Sequence, residues 1–266
     1  MTTALIISTY NWPEALNLVL KSAFRQSVPP TEILVADDGS GQETADLIMK
    51  LKKTTSIPVH HVWHEDKGFR RSKILNKAIA QANAEYIVQV DGDCMQHRDF
   101  IKDHQANAEE NVYLFGSRVN IEKAKLPLLY KEEIMDFNFL TKDITRRTRA
   151  FHIPAFSKLY RPKNELSKKV RGCNLSYWKK DFLAVNGYNE DLEGWGEEDA
   201  ELVARMLNNG VLGKRIRYAG IVYHIWHTGA SRSNLSNNTA LKDKSIEEKI
   251  TYCKNGVDKY LNSPES

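Results

Sequence analysis

Asp91-Gly92-Asp93 stands directly behind the apolar run Ile87 to Val90. Two carboxylates separated by one small residue at a strand end can hold a hard divalent cation, and such a cation typically bridges to phosphate oxygens. Asp and Gly are also ordinary turn formers, so the tripeptide gains weight only from its place after a buried strand. A second acidic strand end, Asp37-Asp38-Gly39-Ser40, follows Ile33 to Ala36, and there a turn closed by the Asp side chain is the alternative. Much further along, Gly194-Trp195-Gly196 runs into Glu197-Glu198-Asp199, where carboxylates also simply favour the positive end of a helix. Tyr223-His224-Ile225-Trp226-His227 sets two imidazoles three residues apart, close enough to approach one site if the segment turns.

These groups need elements to bring them together. Ala4 to Thr9 is an apolar run long enough for a buried strand and too short for a helix. Pro13 then suits the first turn of a helix carrying Leu16, Val19, Leu20 and Ala23. Strands are predicted at 32–36, 58–63 and 85–90, with helices at 44–53 and 72–82 between them. Strands alternating with helices imply right-handed crossovers and an open, mainly parallel α/β sheet. Ligands bind beyond the carboxyl ends of such strands, and Thr9-Tyr10-Asn11, Asp37-Asp38 and Asp91-Gly92-Asp93 all fall there. The second half is less regular, with helical stretches expected at 126–140, 198–209 and 245–261 and a strand near 220–224.

With 41% hydrophobic and 27% charged residues over 266 positions, the chain can bury a substantial core. No apolar stretch approaches the roughly 20 residues of a spanning helix, and Met1-Thr2-Thr3-Ala4 lacks a basic signal region, so a cytoplasmic place is expected. Cys94, Cys173 and Cys253 are odd in number and widely spaced, which suits a reducing compartment. Of the net charge of +4, residues 141–180 carry +10, with twelve Lys or Arg against Asp143 and Glu165. That block suits phosphate, anionic lipid or nucleic acid, or is a solvated loop face. Neither a Walker loop nor a dinucleotide fingerprint is present, which argues against an ATPase and a nicotinamide enzyme.

Taken together, the motifs at Leu5 to Asn11, Val35 to Ser40, Gly68 to Asn76 and Val90 to Cys94 resemble, in order, those of inverting glycosyltransferases of the GT-A fold, family 2. The segment Gly187 to Asp199 resembles the carboxyl-terminal part of β-1,4-galactosyltransferases and related bacterial polysaccharide glycosyltransferases. The resemblance implies a UDP-sugar donor, with Thr9 and Tyr10 beside the base, Asp38 or Asp37 accepting from it, Arg71 near base or phosphate, and Asp91 near the ribose. It further implies Asp93 and His227 as ligands of Mn2+ or Mg2+, His224 left open, and Arg232 near that site. Gly172 and Asn174 become candidate contacts to the donor sugar, Trp195 an apolar platform for a sugar ring, Glu198 a sugar contact and Asp199 the general base. Ala200 interrupts the acidic run of the animal enzymes, which leaves the donor sugar open.

The implied chain is a single GT-A domain, with a nucleotide-sugar half over 1–110, an acceptor-binding and catalytic half over 111–230 and a helical tail over 231–266. Its implied reaction moves a hexose or N-acetylhexosamine to a saccharide or lipid-linked saccharide acceptor in bacterial polysaccharide assembly, with peripheral contact to the inner face of the membrane through the basic block. The competing classes are a nucleic-acid-binding module built on 141–180, for which no accompanying motif exists, and a sugar-nucleotide hydrolase or sensor.

Overall fold

The computed structural model describes residues 1–229 and 233–261. Strands β1 (Thr3–Thr9), β2 (Glu32–Asp37), β3 (Val59–Trp63) and β4 (Tyr86–Asp91) alternate with helices α1 (Pro13–Phe24), α2 (Gln42–Lys52) and α3 (Arg71–Gln81). All four strands are parallel, β1 lying between β2 and β4 with Thr9 opposite Asp37 and Ser8 opposite Asp91. That register sets the three acidic or polar strand ends side by side on one edge. The open, mainly parallel α/β architecture expected from the sequence is therefore present.

β1 is buried at every position, as a parallel strand covered on both faces should be. Its alternate side chains serve different layers: Leu5 and Ile7 pack with α1 residues such as Leu16 and Val19, while Ala4 and Ile6 pack with α3 residues such as Ile74 and Leu75.

After β4 come β5 (Cys94–Gln96), α4 (Phe100–Asn107), β6 (Val112–Phe115), β7 (Ser117–Ile121), α5 (Leu126–Glu132) and β8 (Ile144–Thr145). There follow β9 (Leu175–Trp178), α6 (Lys179–Ala184), α7 (Glu198–Asn208), β10 (Leu212–Arg215), β11 (Ile221–His224), α8 (Leu235–Glu247) and α9 (Asp258–Leu261). The main sheet has the order β10-β6-β9-β4-β1-β2-β3, antiparallel only at β9. A second sheet, β5-β11-β7-β8, lies beside it. Strands from beyond residue 111 thus complete the sheet begun by the first half, so the two halves share one layer.

Two expected helices are corrected. The stretch at 126–140 stops at Glu132, because Glu133 takes a left-handed conformation in which its carboxylate reaches Asn17 and Lys21 of α1. The helix expected at 245–261 is displaced: α8 ends at Glu247, Lys249 is left-handed, and the following chain is irregular until α9. Its apolar spacing was misleading because Cys253 and Val257 are buried as plugs over Asn186 rather than as one face of a helix. Among the described residues no helix is long and apolar enough to cross a membrane. All three cysteines are free and buried.

Candidate active site

Gly92 makes the β4 end possible. A side chain there would meet the Ser8 carbonyl and the Thr9 hydroxyl at 2.9 Å, so only glycine lets the turn pack on the end of β1. Asp91 then accepts from Ser8 Oγ at 3.0 Å and from Arg71 Nη2 at 2.7 Å. Arg71 opens α3 and is 11% exposed in its side chain. Its other terminal nitrogen reaches Glu198 Oε1 at 3.2 Å and Asp199 Oδ1 at 3.1 Å, at the start of α7. One guanidinium therefore joins the strand-end acids of the first half to the acids of the second. Burial works against its charge, but Asp199, Asp91 and Glu198 together hold it firmly protonated.

Asp199 is fixed from three sides. Its Oδ2 accepts the Gly172 N–H at 2.7 Å, and its Oδ1 lies 3.0 Å from the Tyr188 hydroxyl as well as near Arg71. A Cβ at Gly172 would fall 2.2 Å from Oδ1, so this glycine makes the seat of the carboxylate. Tyr188 is held against its neighbour Gln89, 2.9 Å away, and burial keeps its phenol protonated and able to donate. The loop carrying Tyr188 is pinned by Arg205 of α7, which is fully buried against Glu201 and donates to the carbonyls of Val185 and Gly187. Glu198 accepts the Gly196 N–H at 3.0 Å. Burial, reinforced by Asp199, pushes its carboxyl up to about 7.

Beside this cluster, Asp93 Oδ2 faces two imidazoles, His227 Nε2 at 3.1 Å and His224 Nε2 at 3.5 Å, themselves 3.2 Å apart. Asp93 Oδ1 accepts from the Cys94 thiol, and the main chain is locked by Ile225 N–H on the Asp93 carbonyl. His227 Nδ1 meets the Thr228 carbonyl at 2.7 Å, which places a proton on Nδ1 and turns Nε2 toward Asp93. Burial alone would raise Asp93, but the His227 hydrogen bond and His224 reverse this and hold it below its usual range. Asp93 raises His227 in turn, while burial lowers His224. Two ring nitrogens this close to each other and to a carboxylate need positive charge among them. One oxygen and two nitrogen donors lie close enough together here to hold a divalent cation.

The end at which the sequence resemblance placed the donor base is built at β1, β2 and the loop after β3. Tyr10 is 51% exposed and donates to Asp66 at 2.9 Å. Gly39 lets that loop close, since a Cβ there would fall 2.6 Å from Asp66 Cα. Asp38 is buried and binds His64 at 2.6 Å and the Arg70 N–H at 2.8 Å.

Several expected contacts have other duties. Asp37 is wholly buried, its oxygens taken by the Ser40 N–H and His61, so it closes the turn. Thr9 lies under Gly92, and its carbonyl holds the Asp38 N–H. Asn174, expected to contact the donor sugar, is 2% exposed; its amide bridges the Ser117 and Gly220 carbonyls, with His104 on its oxygen. Gly172 serves Asp199. Trp195 stands 39% exposed between glycines at positive φ. Arg232 lies outside the described residues.

Sequence reasoning missed His64, Asp66, Tyr188 and Gln89. The first two follow β3 and were open to the same strand-end argument as Asp37 and Asp91. Gln89 was marked by being a lone amide in an apolar strand, two residues before Asp91 and so on the same face.

A family model described as glycosyl transferase family 2 matches residues 4–166, more than half of the chain. The chain belongs to glycosyl transferase family 2. A second model, described as the N-terminal domain of galactosyltransferase, matches residues 151–228 of this family 2 chain. It is 25% identical over 229 residues to a validoxylamine A glucosyltransferase of Streptomyces hygroscopicus subsp. limoneus, covering 78% of this chain and 48% of the relative. A chondroitin synthase of Pasteurella multocida (strain Pm70) is 22% identical over 94% of this chain and 27% of its own length. The family 2 chain thus spans about half or less of these curated relatives. Among solved structures, S. aureus TarS 1–349 in complex with UDP matches with a TM-score of 0.61 at 19% identity, over 98% of this chain and 71% of that one. A mannosyltransferase from Pyrobaculum calidifontis in complex with GDP-Man and Mn2+ matches with a TM-score of 0.55 at 16% identity, over 84% and 56%. The likeness shows the GT-A fold that the sequence resemblance implied.

Proposed function

We propose that the chain is a metal-dependent inverting glycosyltransferase that moves a hexose or N-acetylhexosamine from a UDP-sugar to a saccharide or lipid-linked saccharide acceptor. The observation that carries this reading is Arg71, hydrogen-bonded at once to Asp91, Glu198 and Asp199, which joins two acidic stretches more than a hundred residues apart in one cluster. Family membership supports the reaction class, and the UDP and Mn2+ named for the two structural neighbours support the donor and the cation.

In this reading Tyr10 covers the base, with Asp66 orienting its hydroxyl, and Asp38 accepts from the base while His64 and the Arg70 amide hold it in place. Asp93, His224 and His227 hold the cation, which when bound neutralises charge gathering on the departing diphosphate. An acceptor hydroxyl attacks the anomeric carbon from the opposite face through an oxocarbenium-like transition state. Asp199 takes the hydroxyl proton, a role typically contributing ~10²–10⁴-fold. The donors around it keep its orientation from drifting as the acceptor enters. Trp195 offers an apolar face to a sugar ring.

One observation favours a second assignment within the same mechanism. Glu198, raised to about 7, has the affinity for a proton that suits a base at neutral pH. Product formation by Asp199→Asn and Glu198→Gln decides between them. Asp199→Asn abolishing transfer while UDP binding persists supports Asp199; the same pattern in Glu198→Gln, with Asp199→Asn active, moves the role to Glu198. Nucleotide release that never depends on an acceptor would instead mark a hydrolase or sensor.

A further inference from the structure

The same edge of the sheet carries a group of arginines that the donor reaction leaves unused. Arg149 lies against β7, donating to the Arg118 carbonyl at 3.2 Å. Arg215 ends β10, Arg217 follows it, and Arg146 precedes Arg149 by one short turn. Among the described residues, none of these five guanidiniums has a carboxylate within ion-pair distance, and the Nε atoms of Arg215 and Arg217 are buried without a hydrogen-bond partner. Arg215 stands opposite Phe115 of β6, three residues before Arg118, and the Ile153 N–H on the Tyr218 carbonyl ties the turn of Arg217 to the segment after Arg149, so the groups are neighbours; burial and the charges of Arg146, Arg215, Arg118 and Arg217 lower Arg149 accordingly. Such self-repulsion costs stability and is relieved by an anion.

Position gives the cluster a direction. Arg118, half-buried on β7, is near enough to Asp93, His224 and His227 for its charge to act on all three. Arg215, at the other end, lines a cavity of about 430 Å³ with Tyr160, Arg161, Lys163 and Lys169, in which Glu165 is the single acid. The charge track thus begins at the cation site and ends in a concave basic cavity, a path suited to a chain rather than to a flat surface.

We infer that the acceptor is an anionic saccharide chain, bearing phosphate or carboxylate groups, bound along Arg118, Arg149, Arg215 and Arg217 into the cavity beside Tyr160 and Arg161. This rests on the transferase reading and adds the class of acceptor. Arginine forks suit both oxyanions, and the bidentate geometry fixes the chain as well as attracting it.

The test measures binding of a sugar-phosphate oligomer, a hexuronate oligosaccharide and a neutral dextran of equal length to the parent and to Arg149→Ala/Arg215→Ala/Arg217→Ala. Phosphatidylglycerol vesicles and single-stranded DNA are titrated alongside. The parent should bind one charged saccharide at least about tenfold more tightly than dextran at low salt, and the triple variant should lose that difference. Whichever charged oligomer prevails names the oxyanion. Equal binding of charged and neutral chains, undiminished binding by the variant, or tighter binding of vesicles or DNA than of both charged saccharides would overturn the proposal. The variant's melting temperature should not fall, since like charges are removed; should it unfold, Arg215→Glu replaces it with the same expected loss. UDP binding by the parent is read separately: its absence strikes the donor assignment, while the saccharide titrations still judge the arginine track.

Discussion

Arg71 is one guanidinium among three carboxylates, whereas the group from Arg118 to Arg217 is five guanidiniums with no carboxylate partner among the described residues. Both regions stand on the same end of the sheet, and each is electrostatically incomplete in the opposite sense. The first, with Asp93 beside it, has negative charge left over for a cation. The second has positive charge left over for an anion. Segregation on this scale has a stability cost that mixed ion pairs would avoid, a cost that the proposed cation and anionic chain would each relieve.

The acidic side should break most visibly. Asp199→Asn is expected to lower transfer by ~10²–10⁴-fold, read as glycoside product per unit time, with UDP affinity little changed. Arg71→Leu removes the guanidinium paired with Asp91, Glu198 and Asp199 and should destabilise the fold by about 3–5 kcal/mol in chemical denaturation, with partial recovery in the Arg71→Leu/Glu198→Gln double variant. If Arg71→Leu unfolds like the parent, the cluster is not held together as described.

Smaller changes sharpen the contrast. His227→Ala should raise the Mn2+ concentration for half-maximal activity by about tenfold or more, equivalent to about 1.4 kcal/mol, and a chelator should abolish activity in the parent. An unchanged metal titration would remove His227 from the site. Glu198 supplies a pH signature. Its folded carboxyl titrates near 7, above the ordinary 4.5, so its contribution to stability is complete below about pH 4.5 and is lost as pH rises through about 7. Glu198→Gln cannot ionise, and its melting temperature relative to the parent should therefore climb between pH 5 and pH 8. A constant difference would mean that Glu198 does not titrate in that window.

The first half was legible because its signals are local. β1, β2 and β4 are largely apolar runs with polar or acidic residues at their ends, and register alone then brings Asp37, Ser8 and Asp91 together. The second half depends on long-range pairing that no window reveals. β9 inserts antiparallel between β4 and β6, and the seat of Asp199 is assembled from Gly172, Tyr188 and Arg71 on three separate segments. Asn174 shows the limit most plainly: a Gly-and-Asn stretch suits a ligand contact or an internal tie equally well by type, and only burial distinguishes them. The basic block was visible as composition, yet Arg118, Arg215 and Arg217 lie outside it, so its working arrangement emerges only from the fold.

The most direct test is a UDP titration with and without Mn2+ on the parent, Asp93→Asn and Asp199→Asn, paired with product formation from donor and acceptor. Mn2+-dependent UDP binding is expected in the parent and in Asp199→Asn but lost in Asp93→Asn, with product formed by the parent alone. Full transfer by both Asp199→Asn and Glu198→Gln, or Mn2+-dependent UDP binding undiminished in Asp93→Asn, would contradict a single site in which one acidic stretch holds the cation and the other accepts the proton.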